Sequence, residues 1–389
     1  MEREELAGWL RLTLTRGVGN EAARKLLGAF GLPDAVFSQS SAALRQVVSQ
    51  AQTTQLRVEP TELAALLETT WTWLQATGTG STQRDIVVLG DAQYPSALLT
   101  LEDPPLMLYL LGAGQASQLT GSLVNSLAVV GSRNPTPQGA ANARNFSKAL
   151  GQAGLTVVSG LALGVDGAAH EGALDSLTPG STRLATVAVV GTGLDRVYPK
   201  HHFELAHRIA QNGLLISEYP LGTPPLPANF PKRNRLIAGL AQGTLVIEAA
   251  LRSGSLITAR LSAEQGKEVF AIPGSIHSTQ SHGCHSLIKQ GAKLVESAQD
   301  VLEEMKIVIQ AEFGGAVVPV PTPDDTALNT TDSDQVLLDA LGFDPVGLDA
   351  LQARCSLETA ALQAQLMTLE LQGQVARLPG GLFQRLAPS

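Results

Sequence analysis

Residues 229–240 read NFPKRNRLIAGL and place three cations, Lys232, Arg233 and Arg235, within four positions. Pro231 followed by an apolar run predicts a helix start. That end of a helix disfavours positive charge, by about 0.3–1 kcal/mol per cation. A bound phosphate reverses the sign, because free amides, the helix dipole and the side chains then act together on one anion. Phe230 precedes the cluster, and Lys200 lies three residues before Phe203. A cation for phosphate beside an aromatic ring for base stacking is how single strands are held without sequence preference. Each phenylalanine, taken alone, reads more readily as core. For Arg233 and Arg235 the competing reading is an internal ion pair with Glu218 or Glu248.

Other residue types invite catalytic or metal chemistry and lack the pattern for it. Asp166 and His170 stand four apart and share a helix face, as a general-base pair would. No serine or cysteine nucleophile motif accompanies them, and Asp166 equally caps a helix start, so the structural reading is preferred. His277, His282, Cys284 and His285 are zinc-ligand types within nine residues. Their spacing matches no finger or catalytic motif, so a polar loop is expected and no metal. Gly160, Gly164 and Gly167 miss the G-x-G-x-x-G spacing, Gly191-x-Gly193 lacks the third glycine, and no P-loop occurs. No nicotinamide or flavin cofactor is expected.

The elements that must position these residues are legible from residue 86 onward. Short apolar runs at 86–89, 106–110, 127–131, 156–160, 185–191, 214–218, 244–249, 268–273 and 292–295 alternate with helical segments. This predicts a Rossmann-like α/β domain, doubly wound around a mostly parallel sheet, with extra edge strands from 86–110. Parallel strands bring the loops 131–136, 159–170, 191–202 and 252–259 to one sheet edge, where ligands bind. These loops are rich in Gly and Ser, whose backbones approach an anion closely. Arg133, Ser159, Gly160, Gly164, Arg252, Ser253 and Ser255 therefore join Lys200, Phe203, Phe230, Lys232, Arg233 and Arg235 as candidates for holding phosphate. The plainer reading is tight strand–helix turns, and for Arg133 a buried pair with an acid.

Around this domain, residues 1–80 read as a helical module in which RGVGNEAARKLLGAFG resembles half of a helix-hairpin-helix. TGTGSTQR (77–84) has linker composition, and the Rossmann-like domain is expected over 85–309. Residues 310–333, rich in Pro, Thr and Asp, read as a linker. Residues 334–389 read as three helices and a hairpin with a Gly-Gly turn, a winged-helix-like module.

The 389-residue chain carries a net charge of −8, which argues weakly against a polyanion partner. Its distribution argues otherwise, because residues 126–306 hold 16 Lys and Arg against 13 Asp and Glu, and all seven histidines. Local field, not net charge, captures a polyanion. Two cysteines exclude a disulfide framework, the start MEREELAGWL is unlike a signal peptide, and no apolar run reaches membrane-span length. A cytoplasmic location is expected.

YPSALLTLEDPPLMLYLLG, AVVGSRNPT, VVSGLALGVDGAAHEGAL, AVVGTGLDRVYP, LISEYPLG, ANFPKRNRLIAGL, RSGSLITA and EVFAIPGSI with LIKQGAKLV resemble, in order, the DprA/Smf family, DNA-processing protein A. The resemblance runs from about residue 94 to 296. It implies a non-enzymatic, homodimeric protein, paired through the Rossmann-like domain. Such a protein binds single-stranded DNA and helps load RecA on incoming DNA in natural transformation. Arg133, Lys200 and the cations of FPKRNR are the DNA contacts it implies. The chain departs from the family at Gly283-Cys284-His285-Ser286, where Gly-x-Asn is common. The tail also departs from groove readers: SLETAALQAQLMTLELQG offers no cation, so the tail reads as a protein-contact module. The competing class is an enzyme, the nucleotide phosphoribohydrolases of the lysine-decarboxylase-like group. Their PGGxGTxxE motif is broken here, where AQGTLVIEA has Gly243, Thr244 and Glu248 but no preceding Pro-Gly-Gly.

Overall fold

The computed structural model describes residues 1–76, 82–113, 116–305, 332–355 and 357–386. Six helices open the chain: α1 (Arg3–Leu14), α2 (Asn20–Phe30), α3 (Pro33–Ser38), α4 (Ser41–Leu44), α5 (Gln50–Leu56) and α6 (Leu63–Gln75). Helix α1 buries Leu6, Trp9 and Leu10, spaced to lie on one face. Trp73 of α6 meets Tyr109 of the sheet edge-on, with ring centroids 6.1 Å apart, so the helices share a core with one sheet face.

The sheet and its helices follow in alternation. They are β1 (Gln83–Val88), β2 (Met107–Gly112), α7 (Ala116–Val124), β3 (Ser126–Val130), α8 (Pro137–Gln152), β4 (Thr156–Ser159), α9 (Val165–Asp175), β5 (Thr186–Val189) and α10 (Phe203–Asn212). Then come β6 (Leu214–Ser217), α11 (Asn229–Leu240), β7 (Gly243–Val246), α12 (Ser255–Glu264), β8 (Glu268–Ala271), α13 (His282–Lys289), β9 (Lys293–Leu294) and α14 (Ala298–Glu304). Each apolar run in the sequence supplies one strand. The strand order is β1-β2-β6-β5-β4-β3-β7-β8-β9. The pairings from β6 to β9 are all parallel, while β2 runs antiparallel to both β6 and β1. Strands β3, β4 and β5 are buried along their whole length, as a sheet covered on both faces requires.

The winged-helix domain comprises α15 (Asp332–Leu341), β10 (Val346–Gly347), α16 (Leu348–Cys355), α17 (Thr359–Leu371), β11 (Val375–Leu378) and β12 (Leu382–Arg385). Its core is Leu337, Leu351, Leu362, Leu366, Leu369, Val375 and Phe383. The expected linker at 310–333 lies outside the described residues, apart from the last two, which already belong to α15. Of TGTGSTQR, residues 77–81 lie outside them and Gln83 and Arg84 begin β1. Among the described residues no helix is long and apolar enough to cross a membrane.

Candidate nucleic-acid interface

The C-terminal ends of β3 to β8 form one rim of the sheet. The order β4-β3-β7 sets the topological switch point between β3 and β7, the crevice where such folds usually take a nucleotide. Here a side chain bridges the two strand-end segments that flank it. Glu248, just after β7, accepts from the Thr136 amide at 2.9 Å and from its hydroxyl at 2.6 Å. A Cβ on Gly139, in the first turn of α8, would overlap that carboxylate. Burial pushes the Glu248 carboxyl above its usual range, and the two Thr136 hydrogen bonds pull it back. Glu248, the acid of the broken phosphoribohydrolase motif, is held by Thr136 at the start of α8.

A second carboxylate organises the neighbouring loop. Asp166, in the first turn of α9, accepts from the amides of Gly160 at 3.2 Å and Ala162 at 3.3 Å. These amides flank Leu161, which sits at φ +57° in the left-handed region. Gly164 ends the loop at φ +84° with its backbone against Ser132 O, a place no Cβ could occupy. Burial raises the Asp166 pKa, opposed by the charge of Arg233 and by the two amides. His170 does not pair with Asp166. Its Nδ1 lies 2.7 Å from Thr186 Oγ1, whose own hydroxyl donates to Val157 O at 2.8 Å. Nδ1 must therefore carry the proton, which leaves Nε2 buried without a partner. Burial drives the His170 pKa down to about 3, so this pair is structural and supplies no general base.

The cation cluster divides by helix phase. Helix α11 starts at Asn229, two residues before Pro231, and buries Arg233 on the face of Leu236, Ile237 and Leu240. Arg233 Nη1 donates to Val189 O at 2.8 Å, and burial lowers its pKa to about 10, leaving it charged at neutral pH. A Cβ on Gly160 would overlap the guanidinium. Arg235 forms an ion pair with Glu218, with Asp103 at 3.8 Å. The expectation that Arg233 and Arg235 face a nucleic acid is corrected by their placement: both are turned inward, because an α-helix cannot present positions 232, 233 and 235 on one face. Of the three, Lys232 alone is exposed.

What reaches the outer rim is a smaller set. The Arg133 guanidinium lies over the Phe230 ring, 5.8 Å from its centroid. The Tyr198 ring packs against the other partner, centroids 5.4 Å apart, and is 45% exposed. Lys200 is exposed on the next turn, and Phe203, 52% exposed, stacks on His207 at 4.3 Å. Asn229 Nδ2 fastens the start of α11 to Gly191 O at 3.0 Å. Arg252 is exposed, and the hydroxyls of Ser253 and Ser255 lie 2.7 Å apart at the start of α12. Ser159 is fully buried, its hydroxyl donating to Val129 O at 2.6 Å, so it stands behind the rim. Tyr198 was missed by the sequence reading; a tyrosine in a Gly-rich strand-end loop of a chain with 4% aromatics was the available signal.

The His/Cys loop is part of the scaffold. His282 Nε2 and His285 Nε2 each lie 2.9 Å from a backbone carbonyl, of Ile276 and Gly274. The Gly283 amide donates to Ala249 O at 2.7 Å and Cys284 is buried. Among the described residues no group of three potential ligands is arranged to hold a metal.

A doubly wound sheet with Glu248 bridging its crevice to the start of α8, an exposed cationic and aromatic rim, and a winged-helix domain after it defines a Rossmann-like α/β protein of a particular kind. The chain belongs to the DNA recombination-mediator protein A family, whose model matches residues 85–306, and a DprA winged helix domain matches 321–381. Protein Smf of Escherichia coli K12 is 40% identical over 294 residues, covering 74% of each chain. The DNA processing protein DprA of Streptococcus pneumoniae R6 is 46% identical over 216 residues, covering 56% of this chain and 72% of that one. The solved structure of Streptococcus pneumoniae DprA superposes with a TM-score of 0.60 at 35% identity, over 78% of this chain and 98% of that one. DNA processing protein A of Helicobacter pylori, solved for its single-stranded DNA binding mode, gives 0.50 at 30% identity, over 57% and 96%.

Proposed function

We propose that this chain is a single-stranded DNA-binding recombination mediator that acts without catalysis. It holds incoming single strands along the strand-end rim and helps load RecA in natural transformation, with repair as a second setting. It works in the cytoplasm as a homodimer paired through the Rossmann-like domain. The observation that carries the reading is the Arg133–Phe230–Tyr198 stack beside exposed Lys200 and Lys232. It sets cations for phosphates next to rings for bases. The Helicobacter pylori relative's single-stranded DNA binding mode supports it. Arg252, Ser253 and Ser255 extend the same rim toward α12, and the Gly160–Gly164 loop, its Gly160 and Ala162 amides held by Asp166, lies between. Arg233 and Arg235 act from behind, by fixing the loops. Fluorescence anisotropy with a labelled oligonucleotide, its duplex and a mononucleotide tests the reading. Tight binding to the single strand and none to the mononucleotide is expected; the reverse order overturns it. RecA loading is read by RecA-driven strand exchange on single strands coated with a single-strand-binding protein, where the chain should shorten the lag.

A further inference from the structure

The winged-helix domain carries an unpartnered face of its own. Helix α17 buries Leu362, Leu366 and Leu369 and exposes Ala360, Ala364, Met367 and Leu371. Those four recur at the spacing of a helix–helix seam. Met367 is 64% and Leu371 82% exposed, a cost in water that an isolated domain has no reason to carry. The helix holds no cation for a DNA backbone. Glu370 sits in its last turn, where the helix dipole repels a carboxylate, and has no ion pair among the described residues.

We propose that α17 docks antiparallel on α17 of a second copy of this chain, about a two-fold axis midway between Ala364 and Met367. In that register Ala360 faces Leu371 and Ala364 faces Met367, so a small residue meets a large one at all four contacts. Gln363 and Glu370 flank the seam on the same side, so the Gln363 amide of one helix can donate to the Glu370 carboxylate of the other. Glu370 comes level with the first turn of the opposing helix, where the dipole now attracts it. The symmetry repeats that gain. Glu358 lies behind the seam, and no carboxylate meets another. A parallel pair would set Glu370 on Glu370 and Leu371 on Leu371 while leaving the alanines apart. Charge and shape thus select one self-complementary register, as a two-fold interface requires. One helix seam is smaller than the about 800 Å² per partner of a stable interface. The contact therefore closes between chains already joined elsewhere, and it rests on the homodimer reading given above. Tethering supplies an effective concentration in the millimolar range.

Full-length chains with Cys355→Ser, Cys284 being buried, provide the test. Ala364→Cys is co-expressed with Met367→Cys and oxidised with glutathione disulfide. A disulfide-linked heterodimer should form in about tenfold excess over that from Ala360→Cys alone, whose thiols would lie about 16 Å apart at 1.5 Å per residue. Adding Leu371→Lys should cut the yield at least fivefold. Equal yields from the two cysteine placements, or a yield indifferent to Leu371→Lys, overturn the proposal. Light scattering on the same samples separates the two readings. Dimers without the disulfide remove the α17 contact and leave the Rossmann-domain dimer standing. Disulfide-linked pairs from chains that are monomeric before oxidation keep the α17 contact and remove the other.

Discussion

The guanidinium of Arg233 fills the space that a Cβ on Gly160 would need. One buried cation thereby holds the end of β5, through Val189 O, against the loop that follows β4. Gly160→Ala should destabilise the fold by about 1–3 kcal/mol, the usual cost of overpacking. Gly254→Ala, where no atom lies within 4 Å of the added methyl, should stay within about 0.5 kcal/mol. Urea denaturation of the two variants makes the comparison; equal stabilities would show that the loop yields freely.

Charge reversal separates the outer cations from the inner ones. Arg133→Glu, Lys200→Glu and Lys232→Glu should each weaken single-strand binding more than tenfold, with stability within about 0.5 kcal/mol. Arg235→Glu should instead cost about 3–5 kcal/mol. It breaks a pair whose side chains are 12% and 7% exposed and sets a third carboxylate beside Glu218 and Asp103. Anisotropy and thermal melts on the same preparations check both halves. An Arg235→Glu protein that melts like wild type but fails to bind DNA would return Arg235 to the contact surface.

Salt should matter in proportion to the exposed cations. Arg133, Lys200, Lys232 and Arg252 are exposed along the rim, as is Arg196, whose charge is already paired with Asp195. At about −0.7 per phosphate on single strands, four contacts give a log–log slope near −3 and an affinity loss of roughly 50-fold between about 50 and 200 mM salt. A flat titration contradicts the rim as a polyanion site.

His170 sets an acid limb to stability. Its folded pKa, about 3, lies below the unfolded value near 6.5, and neighbouring His202 and Arg233 add to the effect of burial. Above pH 6.5 both states are neutral and His170 contributes no slope. As pH falls toward 3, the unfolded chain takes the proton and the folded one does not. Stability is then lost at up to about 1.4 kcal/mol per unit. The raised carboxyls of Asp166 and Glu218 act the other way, since the folded state takes their protons first. His170→Gln should flatten the limb between about pH 6 and 4, measured by denaturation at fixed salt. An unchanged limb would show that His170 does not cause it.

Removing residues 334–389 should leave single-strand affinity within a few-fold. That segment carries six acids and only Arg354, Arg377 and Arg385, and two of these arginines are engaged, with Ala340 O and with Asp339. A loss beyond about tenfold in a truncated chain that still folds would place the winged helix on the DNA.

The sheet was readable because each strand is an apolar run bounded by Gly-rich turns, and the loops at its rim followed from parallel order alone. The cation cluster was only half readable. Residues 233, 236, 237 and 240 fall on one helical face, so the burial of Arg233 was written in the phase of α11. Counting charge by proximity in sequence hid it. The Glu248–Thr136 bridge could not be read, because it joins residues 112 positions apart through a side chain. Tyr198 was hidden because its partner, Phe230, arrives from the first turn of α11.

The antiparallel β2 has one more consequence. By reversing direction beside β6, it brings residues 102–106 back to the same rim as the parallel loops. Glu102 is exposed there, and Asp103 stands next to Arg235. A single strand running along the proposed rim toward that side would meet these carboxylates, and its course should end there.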